Sequence, residues 1–409
     1  MLSILFQQAL GGYAAAVARE FGWSRGSLSL GFSLAGAGTS IFGPAQAWVV
    51  QRFGPGTVIR GGLVILAIGF ALLSRVDSFG GFFLALGVMT LGGGAAGFLP
   101  VTVAVVNWFD HRRTRALGLV EIGRVLGGLV APIMIIAIIG FGWRQVALAS
   151  AILLLAIGIP ASTFVRRSPA EMGLRVDGRP DPDDRPSHEA DRPLASRAMN
   201  DAADFSTGEA LRSPAFWLIS LGHGSALVVV NAMTIHIFLH LTGSLGYADA
   251  QAVFFIGLMT VARICGLAFA AVFGDRTSKR AVTVIAMLMH SAALLLVLIE
   301  GSVVGVVGWS LLHGAAWGAR GALMGALRAD YFGRSSFGMI MGVSSIIVGI
   351  GALGGPVIAG VLYDATGSYA AGFTVMAVIA AAGSLFFAFA KRPARPTRAR
   401  VEASPPPVR

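Results

Sequence analysis

Apolar stretches about 20 residues long dominate the chain, and short polar or charged breaks separate them. A helix rises about 1.5 Å per residue, so ~20 apolar residues cross a hydrocarbon layer ~30 Å thick. Twelve such stretches can be placed, at roughly 1–18, 27–50, 58–75, 80–107, 116–139, 144–165, 214–240, 248–273, 281–299, 302–327, 338–360 and 371–390, and are numbered spans 1 to 12. The breaks at Arg19–Arg25, Gln51–Gly56, Ser74–Ser78, Asp110–Arg115, Gly274–Arg280, Asp330–Ser336 and Asp364–Ser368 carry the charges and turn residues that end helices. The pattern predicts an all-α membrane protein with twelve transmembrane helices.

One stretch departs from it. Arg166 to Arg212 is rich in Pro, Asp and Arg, as in Asp181-Pro-Asp-Asp-Arg-Pro, and reads as a linker. It divides the spans six and six, and the halves repeat at an offset of 224 residues. Arg52 after span 2 matches Arg276 after span 8, and Gly118, Gly127 and Pro132 in span 5 match Gly342, Gly351 and Pro356 in span 11. Trp108-Phe109 and Tyr331-Phe332 each end the preceding span, one residue out of register. The expected organisation is two pseudo-symmetric six-helix bundles, residues 1–165 and 214–390. A cytoplasmic linker, 166–213, joins them, and a disordered basic tail, 391–409, rests near anionic lipid headgroups.

Composition narrows the class. The 409 residues are 55% hydrophobic and only 12% charged, against ~25% charged in a soluble domain. A soluble fold cannot wet such a surface, so a cytosolic enzyme, a disordered chain and a secreted disulfide scaffold are excluded. The single Cys265 forms no internal disulfide and belongs to no cysteine-based metal motif. The net charge of +11 invites a nucleic-acid reading. With residue 1 inside, however, 24 Lys and Arg fall in inside loops and only Arg19, Arg25, Arg75 and Arg144 outside. That asymmetry places both termini in the cytoplasm and leaves no need for a nucleic-acid partner. Span 1 offers only Met1–Ala18 before Arg19, with no basic lead and no convincing small-residue cleavage site, so a membrane span and not a signal peptide is expected. Either the start is placed late or the first helix begins at the lipid boundary.

The loop after span 2, Ala47-Trp-Val-Val-Gln51-Arg52-Phe-Gly54, and its second copy, Gly274-Asp275-Arg276-Thr-Ser-Lys279-Arg280, resemble the Gly-x-x-x-Asp-Arg-x-Gly-x-Arg loop of the major facilitator superfamily. The first copy lacks the glycine and the acid; the second keeps the Asp-Arg pair. The resemblance covers essentially the whole chain and implies a transporter built of two six-span halves that rock about a central site. Within the superfamily, Glu20-Phe-Gly-Trp-Ser-Arg25, Tyr331-Phe-Gly-Arg334-Ser-Ser-Phe-Gly338 and the lone Arg263 of span 8 are similar to bacterial monocarboxylate and oxalate/formate-type carriers. Two departures stand out. Those carriers often have an Asp four residues before the arginine, where this chain has Met259, and oxalate-type carriers a Lys in span 11, where Met339–Gly360 contains none.

An ionisable side chain at bilayer depth costs roughly 2.5–3.5 kcal/mol on insertion scales, so it has a partner or a function. Glu121 and Arg124 in span 5, Arg263 in span 8 and Arg320 in span 10 are such residues, and the resemblance implies that all four can face the central path. Glu121 and Arg124 share one helix face; they form either a local ion pair or a gate and proton site. Their second-half counterparts are Ser345 and Val348, so the pair belongs to one half. Arg263 has no nearby acid in sequence, which suits a carboxylate brought by the substrate and gripped by the guanidinium fork; the alternative is an arginine bonded to backbone carbonyls or reaching the interface. Arg320, with His313 two turns earlier, is either a second carboxylate contact or a latch to span 4 or 5. Gln7, Gln8 and Tyr13 in span 1 and Asn231 in span 7 are further polar groups for the cavity, and Asp275 and Arg276 are expected to gate at the cytoplasmic end.

The remaining polar residues read structurally. His223, His236 and His240 in span 7 are expected to bond between helices or sit at the outer mouth; the i, i+4 pair lacks a third metal ligand. His290 is expected to be structural and Asn107 to cap span 4. The glycines at 92–94 and 97, and those of Gly351–Gly360, let helices approach and slide. No phosphate loop, nucleophile constellation or metal cluster is present, so no enzyme and no cofactor is expected. The sequence reads as a monomeric secondary transporter of the bacterial inner membrane. Its expected cargo is a small organic anion, a monocarboxylate, moved with a proton or by exchange. An efflux carrier for an amphiphilic metabolite or drug, and a non-transporting membrane sensor, are the alternatives.

Overall fold

The computed structural model describes residues 13, 16–17, 20–23, 42–127, 130–174, 176–178, 204–299 and 301–394. Every regular element among them is helical. Span 2 is seen as Gly43–Phe53, span 3 as Pro55–Leu73, and span 4 as Phe79–Ala95 followed by Phe98–Trp108. Span 5 comprises Arg113–Gly127 and Val130–Phe141. Span 6 starts at Trp143–Leu153 and runs through a π turn to Ser162. The second half follows as Pro214–Leu239, Asp249–Phe273, Lys279–Leu296, Val303–Phe332, Phe337–Thr366 and Tyr369–Phe389, spans 7 to 12. Most of span 1, with Gln7 and Gln8, and the start of span 2 lie outside the described residues.

Local signals place the helix ends. Ser78, Ser278 and Ser302 accept hydrogen bonds from the first-turn amides of Gly81, Ala281 and Gly305, which satisfies donors the helix cannot. Pro55 and Pro214 occupy first turns, where no amide is missed. Among the described residues, eight helices are long and apolar enough to cross a membrane, and they present Leu84, Val357 and Phe389 outward, a face that suits lipid and not water. Span 10 is not among the eight; it buries His313, Arg320 and Arg328.

That helix corrects the sequence reading. Span 10 does not end near residue 327 but continues to Phe332. Arg328, which follows residue 327 and so is one of the 24 cations assigned above to inside loops, is therefore a helix residue with only 1% of its surface exposed. Asn107 does not cap its own helix; its amide donates to the Arg167 carbonyl (3.0 Å).

The repeat of 224 residues is visible where the halves meet. A Cβ on Gly118 would stand 2.8 Å from the Ala271 Cβ, and one on Gly342 would stand 2.7 Å from the Ala47 Cβ. Residues 118 and 342, and 47 and 271, are each one repeat apart, so spans 5 and 8 cross as spans 11 and 2 do. Only glycine permits either approach. The segment between the halves obeys the same symmetry. Asp177 accepts hydrogen bonds from the amides of Asp110 (3.1 Å) and His111 (2.8 Å). Asp204 accepts them from Arg334 (2.7 Å) and Ser335 (3.0 Å), again one repeat on. Beyond Asp204, Phe205 packs edge-on against Phe332, and a Ser206–Glu209 capping box opens the helix Thr207–Arg212. The last ten residues expected as linker are thus ordered against the C-terminal half.

Candidate functional site

At the end of the bundle that carries the linker, the halves are bound by charge. Asp275, from the span 8–9 loop, accepts hydrogen bonds from the amides of Thr114 (2.9 Å) and Arg115 (3.1 Å), in the first turn of span 5. Those amides are unsatisfied donors at the positive end of a helix dipole, so one half caps a helix of the other. Arg113 bridges Asp110 (2.8 Å) and Asp330 (2.7 Å), and Lys279 completes the cluster on Asp330 (2.8 Å). Gln51, the symmetry counterpart of Asp275, lies beside the first turn of span 11, its Cγ 3.7 Å from where a Gly338 Cβ would stand. Arg276 is exposed.

Deeper in, the sequence-predicted charges fall into one group. Arg124 donates to Glu121 at 2.7 Å, and its guanidinium lies 5.4 Å from the Phe98 ring. Glu121 is 6% exposed and also attracts Arg263 and Arg320, which repel one another. The Arg263 guanidinium carbon lies over Trp317, 3.7 Å from the ring centroid, a cation–π contact worth about 0.5–2 kcal/mol. Arg320 is 1% exposed, and its Nε and Nη1 have no partner among the described residues. His313 meets the Nδ1 of His290 at 3.1 Å and stacks on Trp309. A buried guanidinium with free N–H groups is a strong, directional anion acceptor.

A cavity of about 250 Å³ opens between the halves on the linker side of this group. Spans 2, 4 and 5 contribute Gln46, Phe98 and Arg124, and spans 7, 10 and 11 contribute His223, Arg328 and Ser344. Arg328 donates to Ser344 Oγ (2.8 Å), to the Met324 carbonyl (3.3 Å) and to His223 Nδ1 (3.2 Å), while its Nε has no partner among the described residues. Ser345 and Val348, the counterparts of Glu121 and Arg124, also line it.

The other sequence-predicted residues lie apart. Tyr13 is buried in the N-terminal bundle, bonded to Ser150 (3.1 Å) and packed on Phe70. Asn231 donates to the Leu227 carbonyl of its own helix (3.0 Å). His236 bonds Tyr369 (3.2 Å) and the Pro356 carbonyl (3.0 Å), and His240 the Val297 carbonyl (3.2 Å), all between helices. Arg328 was missed because the apolar run weakens near it. The stop signal that ends the helix is Gly333, at φ 84°, where a Cβ would collide with the Asp204 carboxylate.

Known proteins share this plan. The family model of the Major Facilitator Superfamily matches residues 1–304 and 260–409, and the chain belongs to that superfamily. The fujikurins efflux protein of Gibberella fujikuroi is 26% identical over 318 residues, 76% of this chain and 62% of that protein. Monocarboxylate transporter 13 of Bos taurus is 24% identical over 349 residues, 83% of this chain and 75% of that protein. The oxalate:formate antiporter of Oxalobacter formigenes is 25% identical over 234 residues, 54% of this chain and 49% of that protein. The chain thus spans less than two thirds of the length of the fungal relative. In fold, the proton:xylose symporter XylE superposes with a TM-score of 0.73 at 15% identity, over 95% of this chain and 93% of that one. The all-α architecture of two six-helix bundles expected from the sequence is the plan of this fold.

Proposed function

We propose that this Major Facilitator Superfamily transporter carries a small organic anion, a monocarboxylate, with a proton or in exchange for a second anion. The supporting observation is the interior charge count. Around the cavity and the Arg320 group, Arg124, Arg263, Arg320 and Arg328 face one carboxylate, Glu121, among the described residues. Three surplus positive charges in a low-dielectric path attract an anion and repel a cation. Arg320 and Arg263 supply the parallel N–H groups for a carboxylate, and Trp317 holds the Arg263 guanidinium in place. The caps and ion pairs at the linker end would break and re-form as the halves rock. With Arg328 moved to the interior, 23 Lys and Arg still fall on the linker side against 4 on the other, which supports a cytoplasmic linker and tail.

Uptake into proteoliposomes, over a panel of carboxylates with and without a pH gradient, tests the reading. Arg263→Ala should insert normally and lose anion affinity about tenfold to hundredfold, the value of a charge-assisted pair at roughly 1.5–3 kcal/mol. Arg263→Lys should be impaired as well, since a point charge does not reproduce the fork. Normal affinity in Arg263→Ala would favour the second reading, export of an amphiphilic metabolite. The apolar Phe98, Leu99, Met341 and Val348 of the cavity wall and the likeness to a fungal efflux protein speak for that alternative.

A further inference from the structure

Resting on the anion reading, we infer that the cavity around Arg328 is a second anion station on the linker side of Arg263 and Arg320, built for a monoanion with an apolar body. Arg320 and Arg328 are eight residues apart on one helix, ~12 Å along its axis. Arg328 lines the cavity; Arg263 and Arg320 do not. The two places are therefore separate stops along one path.

Charge sets the valence. Two guanidinium groups line the cavity. Arg124 is already paired with Glu121 at 2.7 Å. Among the described residues, Arg328 is buried and bonded to a hydroxyl, an imidazole and a carbonyl but to no carboxylate, and its Nε has no partner. One positive charge is left uncompensated, so one negative charge completes the site, whereas a dicarboxylate would bury a second charge without a partner. The existing bonds tie both terminal nitrogens of Arg328, fixing the plane of the guanidinium and leaving its Nε to donate to the ligand.

The walls set the body. Phe98, Leu99, Met341 and Val348 give the cavity an apolar side beside Gln46, Ser344 and Ser345, and those four apolar side chains offer a carboxylate's chain contact but no second cation for another acid. The volume of about 250 Å³ is many times the ~10–15 Å³ of such space that one water needs. A carboxylate with a five-carbon chain or a phenyl ring fits that space; acetate leaves most of it empty. Each buried methylene should raise affinity by up to about fourfold.

The test is binding of acetate, butanoate, hexanoate, benzoate and succinate to purified full-length protein, read as ligand-induced thermal stabilisation. Affinity is expected to rise from acetate to hexanoate, with benzoate comparable to hexanoate and succinate at least tenfold weaker. Arg328→Gln should cost hexanoate at least tenfold. Val348→Phe, which narrows the cavity and leaves Arg328 in place, should remove the gain in affinity of hexanoate over acetate; this arm decides if Arg328→Gln does not fold. Unchanged hexanoate binding in either variant, or succinate equal to hexanoate in the wild type, overturns the second station while leaving anion transport standing. Failure of the wild type to bind any carboxylate overturns the anion reading itself.

Discussion

Asp275→Asn removes a charge from a contact that joins the two halves, at almost no cost in volume. The carboxylate accepts hydrogen bonds from Thr114 and Arg115 at 2.9 and 3.1 Å. Bonds to a charged acceptor contribute about 1.5–3 kcal/mol each against about 0.5–1.5 for neutral ones, and a negative charge at a helix N-terminus adds about 0.3–1. Asparagine keeps one neutral acceptor oxygen, so the closed linker end should lose ~1–2 kcal/mol, and its population relative to the open form should fall roughly fivefold to thirtyfold. Hydrogen exchange of the segment 110–118 reads this directly: the amides of Thr114 and Arg115 should exchange faster by the same factor, and turnover in proteoliposomes should change more than substrate affinity. The symmetry counterpart supplies the reverse experiment. Gln51→Glu places a carboxylate against the first turn of span 11 near Gly338 and should slow exchange there. If Asp275→Asn alters exchange by less than twofold, the cap is incidental to closure and the loop does no more than mark the topology.

Gly118→Leu should leave helix content unchanged but prevent approach of spans 5 and 8, because even a Cβ stands 2.8 Å from the Ala271 Cβ; raised exchange at residues 113–117 and at least tenfold slower uptake are expected, and wild-type uptake would refute the contact. On the anion reading, Glu121→Gln should retain carboxylate binding and lose the response of uptake to a pH gradient, while an intact response would place the proton elsewhere. Burial alone would raise the Asp177 carboxyl, but the amides of His111, Asp110 and Arg112 outweigh it and hold it below its ordinary value. A group depressed in the folded state stabilises the docked linker above the ordinary carboxylate pKa and loses that contribution as pH falls through the lowered value. Proteolysis of the linker should therefore accelerate on acidification, and Asp177→Asn should flatten the profile; an identical profile in the variant would remove Asp177 from the docking.

The twelve apolar runs, the division into halves, the repeat of 224 residues and the charge asymmetry are all one-dimensional patterns, readable because the bilayer imposes a fixed length and a fixed cost on each span. The interior positions of Glu121, Arg124, Arg263 and Arg320 followed from the same cost. Which of them meet did not. Arg263 faces Trp317, ten residues along span 10 from Leu327 where the apolar run ends, only because span 8 is rotated to present it there. Tyr13 and Asn231, equally polar in sequence, are satisfied inside their own bundle or helix. Arg328 looked like a loop cation until the helix was seen to continue to Gly333, where the Asp204 carboxylate of the distant linker occupies the space of a side chain. Hydrophobicity along a chain records how deep each residue lies, whereas the partner of each side chain depends on the rotation of every helix about its own axis, and that is settled by close contacts such as Gly118 on Ala271 and Gly342 on Ala47, between residues far apart in sequence.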